Sequence, residues 1–118
     1  GYANGVVASG RTVFVAGQVG WDADEVFHSD DLVAQVRQAL RNVLAVLDSA
    51  GAQATDIVRM TWYLGDATEY NVRLGEIGAV YRELIGPHYP AMSAVQVAGF
   101  VEAGAKVEIE VTAVLADD

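Results

Sequence analysis

Between Leu32 and Ala50, apolar residues fall at Val33, Val36, Leu40, Val43, Leu44 and Leu47, the spacing of one helical face. Ser29 or Asp30 is placed to cap its start, and Gly51 to close it. A different period governs "AKVEIEVTAVLA", where Val107, Ile109, Val111 and Ala113 alternate with Glu108, Glu110 and Thr112. That alternation predicts a strand with one apolar and one polar face. The β-branched and aromatic run from Asp56 to Asp66 predicts another strand. Asp66 and Glu69 then make a capping-box-like start for a second helix, whose stripe is Tyr70, Leu74, Ile77, Tyr81 and Leu84. Gly86 and Pro87 end it, and "MSAVQVAGF" begins a further strand. Upstream, residues 5–19 hold two β-rich runs around Ser9, Gly10 and Arg11, which predicts an opening hairpin. The predicted order is β-β-α-β-α-β-β.

Two helices cover only one face of such a sheet, yet several strands are apolar on both faces. Val13 and Val15 oppose Phe14 and Ala16, while Met60, Trp62 and Leu64 oppose Ile57 and Tyr63. Hydrophobic residues make up 53% of a chain of 118, more than so small a domain hides inside itself. The pattern therefore predicts a homo-oligomer in which Phe14, Ala16 or the Trp62 face meets a neighbour. No Ser/Gly/Pro-rich stretch divides the chain, so residues 1–118 are expected to form one domain. Gly75 and Gly78 each weaken the second helix by ~1 kcal/mol relative to alanine. Close packing on that side is the expected reason, with room for a ligand as the alternative.

A net charge of −9, with six arginines and one lysine, argues against binding to RNA, DNA or anionic membranes, because phosphate affinity comes largely from cations that displace counterions. No apolar run approaches the roughly 18 residues of a spanning helix. The absence of cysteine removes disulfides and thiolate nucleophiles and fits a reducing compartment, so the cytoplasm is the expected location. His28 and His88 stand apart with no second ligand at metal spacing, and no metal site is predicted. With no nucleophile elbow, phosphate loop or dinucleotide fingerprint, no cofactor is predicted either.

Four blocks in order, "YANGVVASGRTVFVAGQVG", "VAQVRQALRNVLAVLDSAGA", "DIVRMTWYL" and "PAMSAVQVAGFVEAGAKVEIEVTAV", resemble successive blocks of the RidA (YjgF, endoribonuclease L-PSP) family over nearly the whole chain. The resemblance implies an α+β, chorismate-mutase-like fold, a homotrimer, and clefts between neighbouring subunits. It also implies hydrolysis of reactive enamines or imines such as 2-aminoacrylate to a 2-keto acid and ammonia, without metal or organic cofactor. In that site an arginine clamps the substrate carboxylate, a glutamate of the last strand handles the water, and an N-terminal tyrosine closes the cleft.

Carried across residue by residue, the tyrosine falls on Tyr2 and the catalytic glutamate on Glu108. Gly17 and Gln18 match the family's Ser-Gly-Gln turn, with Ala16 in place of serine, and Ala94 stands where the deaminases often carry cysteine. The clamp position falls on Met92. A thioether has no charge, whereas a guanidinium offers a planar fork of donors matched to a carboxylate. Arg59 and Arg73 are the candidates for a replacement clamp. The expected function is small-metabolite binding in the intersubunit cleft, with imine or enamine hydrolysis but no general 2-aminoacrylate activity. A non-catalytic regulatory trimer is the rival reading, and an endoribonuclease ranks last because of the acidic charge.

Overall fold

A computed structural model describes residues 2–117. The elements run β1 (Arg11–Val19), α1 (Leu32–Ser49), a 3-10 turn at Ala54–Asp56, β2 (Ile57–Leu64), α2 (Ala67–Val72), α3 (Leu74–Leu84), β3 (Ala91–Gln96) and β4 (Val107–Leu115). The sheet order is β1-β4-β2-β3. β4 lies antiparallel to both its neighbours, and β2 and β3 are parallel, as the intervening α2–α3 crossover allows. This is the expected α+β architecture, with α1 and α3 packed on one face of a mixed sheet. Among the described residues no helix is long and apolar enough to cross a membrane.

α1 forms where the periodicity places it, and Val36, Leu40, Val43 and Leu47 are all buried. Its cap is Asp31, one residue beyond the expected position, whose carboxylate accepts from the Ala34 N–H. Gly51 follows the helix with φ of +78°, the left-handed conformation that suits glycine. The alternation of β4 holds: Val107, Ile109, Val111 and Ala113 are buried under the helices, while Glu108, Glu110 and Thr112 lie on the opposite face.

Three expectations are corrected. The opening hairpin does not form, because the chain from Ala3 to Ser9 crosses the sheet instead of folding back on β1. Ala3 makes an isolated parallel bridge to Ala91 at the β3 edge, and Val7 is fully exposed. The turn into β1 is at Gly10, φ +145°, where a Cβ would lie 2.0 Å from the Leu115 carbonyl oxygen. The second helix breaks at Arg73, which ends α2 and precedes α3 with φ −102° and ψ 18°. The Trp62 face is not available to a neighbour: Trp62 is 1% exposed beneath the helices. Ile57 shares that side with Met60 because a bulge between Ile57 and Arg59 shifts the register by one residue.

Candidate functional site

Two separate constellations gather the residues singled out by sequence. The first lies on the sheet face that the helices leave open. β1 carries a bulge between Val15 and Gln18, setting Ala16 and Gly17 together opposite Glu110. The bulge presses the bare Cα of Gly17 against Glu108: a Cβ at position 17 would lie 2.7 Å from a Glu108 carboxylate oxygen. A side chain at position 17 would displace the Glu108 side chain, so glycine leaves room for this acid to lie against the bulge. Gln18 is half-buried and turns its amide back to donate to the Ala16 carbonyl at 3.0 Å.

β2 supplies the third wall, with Tyr63 paired to Glu108 across the ladder. The Tyr63 hydroxyl donates to Glu110 Oε1 at 3.2 Å. Desolvation first, then the Glu110 and Glu108 charges, push the Tyr63 phenol above its ordinary value, with Arg59 opposing. Tyr63 therefore stays a neutral donor that occupies Glu110. No hydrogen bond engages the Glu108 carboxylate among the described residues.

The second constellation is a groove of about 320 Å³ between α2, α3 and the β3 edge, on the helix side of the sheet. Met92 lines it, 38% exposed and in register with Met60. Trp62, Tyr70, Leu74, Ile77, Gly78, Tyr81, Arg82 and Tyr89 complete its walls. Tyr81 and Tyr89 stack with ring centroids 5.7 Å apart, and Trp62 meets Tyr70 edge-on at 6.2 Å. Burial first, then Tyr89, pushes the Tyr81 phenol up to about 12, and burial raises Tyr70. The Trp62 indole N–H is buried and has no acceptor among the described residues, which costs about 1–3 kcal/mol.

Glu108 and Met92 thus point to opposite faces of one sheet, with β2 between their strands. Tyr2 is 84% exposed, beside the Ala3–Ala91 bridge and so near the start of β3. Ala94 pairs with Trp62, exposed on the outer strand.

The two expected replacement clamps lie elsewhere. Arg73 makes two bonds to Glu76, at 3.2 and 2.9 Å, and a third to Asp31 at 2.5 Å. Those carboxylates satisfy its guanidinium and tie α3 to the start of α1. Arg59 is exposed on the open face in a depression with Asn4, Val6 and Thr112. His28 bonds Asp22 through Nε2 at 2.5 Å, and His88 donates from Nε2 to the Ile57 carbonyl at 2.7 Å. Among the described residues no three His, Asp or Glu side chains gather as a metal-holding set.

The family model described as Endoribonuclease L-PSP matches residues 1–115. The chain belongs to this family, the RidA family. It is 30% identical over 105 residues to human 2-iminobutanoate/2-iminopropanoate deaminase, covering 88% of this chain and 73% of that protein. The crystal structure of a Rid-family protein of unknown function, YyfB from Yersinia pestis, superposes with a TM-score of 0.87 at 34% identity, covering 98% of this chain and 87% of that one. E. coli TdcF with bound serine superposes with a TM-score of 0.77 at 32% identity, covering 98% and 89%.

In this RidA-family chain, sequence reasoning missed Tyr63 and Glu110, and it missed the tyrosines and Arg82 around Met92. One signal was present. Gly75 and Gly78 were expected to mark close packing, but a Cβ at Gly75 would meet nothing within 4 Å, and at Gly78 only an Arg82 nitrogen at 3.3 Å. Within the chain, both glycines border space instead.

Proposed function

We propose that this RidA-family chain assembles as a homotrimer and that a cleft shared between neighbouring subunits binds a small imine or enamine. The cleft hydrolyses it to a keto compound and ammonia, with Glu108 as the base that activates water. The observation that carries this reading is the unengaged Glu108 carboxylate, seated against the Gly17 bulge beside a Tyr63–Glu110 pair. Glu108 and Met92 face opposite sides of the sheet, so a single chain cannot present both to one ligand, whereas two copies can. Phe14, 79% exposed on the open face, supports the same assembly. The likeness to imine deaminases supports the reaction class. A net charge of −9 supports a small-molecule ligand over RNA.

An enamine first takes a proton at carbon to become the imine. Water then adds through its oxygen to the imine carbon while Glu108 takes one of its protons, and the C=N π pair moves onto nitrogen. Glu108 returns that proton to the nitrogen of the carbinolamine; the hydroxyl then loses its proton to Glu108 as the carbonyl forms, the C–N bond breaks, and its electron pair leaves with ammonia, which takes up the proton as ammonium in solution. Tyr2, Gly17, Gln18, Met92 and Ala94 border the ligand in this reading. Because Met92 lacks the charge-assisted contact, small imino acids are held less well by about 1.5–3 kcal/mol.

Ammonia release from freshly generated 2-iminopropionate and 2-iminobutyrate tests this. Wild type is expected to run about 10- to 100-fold below Met92→Arg. Glu108→Gln in either background lowers turnover by about 100-fold or more. Turnover that survives Glu108→Gln overturns the assignment. The largely apolar groove around Met92, on the face opposite Glu108, favours one second reading, a trimer that binds without chemistry, and binding without ammonia release from both proteins across many imines would establish it.

A further inference from the structure

We infer that Arg82 is the carboxylate-binding residue of the aromatic groove, and that the groove takes a flat, largely apolar carboxylate. The inference rests on the ligand-binding role proposed for the Met92 groove, though not on turnover. Of the six arginines, Arg82 is the one that lines this groove. It makes no ion pair or hydrogen bond among the described residues, whereas Arg73 is held by Asp31 and Glu76, and Arg37 by Glu83. Gly78 stands one helical turn before it, and the nearest atom to a Cβ there would be Arg82 Nη1 at 3.3 Å. The missing side chain is what lets the guanidinium lie back along α3 over the groove.

The shape of the ligand follows from the rest of the lining. Trp62, Tyr70, Tyr81, Tyr89 and Met92 give apolar, largely aromatic walls suited to a planar group. The volume of about 320 Å³ matches a small ring compound and exceeds what a three-carbon imino acid fills. Trp62 lines the groove while 1% exposed, and its buried N–H has no acceptor among the described residues. The cation of this groove thus stands on α3, while the strand position at its mouth holds Met92.

Benzoate and benzamide, which share a ring and differ in charge, are the probes. Affinities are measured by calorimetry on the full chain, and Trp62 fluorescence in a Trp21→Phe background reports occupancy of the groove. Wild type is expected to prefer benzoate by about tenfold. Arg82→Gln removes the preference with benzamide binding unchanged, Arg82→Lys restores part of it, and Arg59→Gln leaves it intact. Gly78→Ala supplies a readout that misfolding would not imitate: the melting temperature rises by about 4 °C while the preference shrinks. Equal binding of the two probes, binding of neither, or a preference that survives Arg82→Gln overturns the inference. Turnover is measured beside binding, in wild type and Glu108→Gln, so that the hydrolase reading is tested on its own. No benzoate preference in wild type, with turnover that depends on Glu108, sinks the Arg82 assignment alone, and a wild-type preference that needs Arg82, with turnover indifferent to Glu108, sinks the hydrolase reading alone.

Discussion

The two faces of the sheet are finished to different degrees. Under the helices, Val15, Ile57, Met60, Trp62, Leu64, Val107, Ile109, Val111 and Ala113 are all buried in one continuous core with α1 and α3. On the other face, Phe14 stands exposed in register with Thr112, and among the described residues the crossing segment around Val6 lies over part of that face beside Arg59 and Thr112. Alternate residues of the same strands make the two surfaces, so the difference lies in what the chain has to lay over each. The helix layer spends its apolar stripe on one side, and the open side keeps apolar and acidic groups together, an arrangement that suits an interface with a wet cleft better than bulk water. Stability is thus expected to depend on the covered face, and assembly and chemistry on the open one.

The largest effect should come from the covered side, at Gln35. This amide is 1% exposed; its nitrogen donates to the Ser29 and Gly104 carbonyls at 3.0 and 2.8 Å, and its oxygen accepts from the Lys106 N–H at 2.7 Å. It pins both loops that lead to and from the sheet to α1. Gly20 packs directly on it, since a Cβ there would lie 2.6 Å from the Gln35 Cβ. Gln35→Leu strands one donor and two acceptors and should lower stability by about 3 kcal/mol, read from urea unfolding at fixed protein concentration. A loss under about 1 kcal/mol would break the contrast between the faces.

A smaller effect of a different kind is expected from Phe14. Burying its ring against a neighbour contributes about 2 kcal/mol per subunit, and a carboxylate there removes that and adds charge beside Glu110. Phe14→Glu should elute as a monomer at micromolar concentration, with far-ultraviolet circular dichroism unchanged. A trimer that persists through this substitution places the interface elsewhere.

How much of this could be read from residues alone depends on distance along the chain. α1 and β4 were legible because each exposes one face and buries the other, so their period is written directly in the sequence. The opening hairpin was not: Val6 and Val7 look like a strand locally, but Ala3 finds its partner at Ala91, at the opposite edge of the sheet. Position 108 was legible only through family resemblance, and its contact with Gly17 depends on a bulge that no spacing announces. The groove was less legible still. Its walls come from β2, both helices of the crossover and the residues before β3, brought together by the parallel register that sets Met92 beside Met60. Gly78 was the visible trace, and its meaning needed Arg82 in place beside it.

The smallest of these effects concerns the acid limb of stability, which the comparison assigns to the helix layer. Asp31, Glu76 and Glu83 all have carboxyls held below the usual range, the first two by bonds to Arg73 and the third by Arg37. A depressed folded value means that the folded state binds the proton less readily than the unfolded chain does. The stability these groups contribute is therefore present above the ordinary carboxylate value, near 3.8 for aspartate, and is lost as pH falls below it towards the lowered folded value. Asp31 does double duty, capping α1 through the Ala34 N–H and bonding Arg73 at the break between α2 and α3. Asp31→Ala should cost about 1 kcal/mol at neutral pH from the cap alone. It should also flatten the decline of stability below about pH 4, followed by urea midpoints at several pH values, because one carboxylate that must be protonated is gone. An unaltered acid slope in Asp31→Ala would mean that the acid sensitivity lies with other carboxylates, and the division of labour between the two faces would lose its electrostatic half.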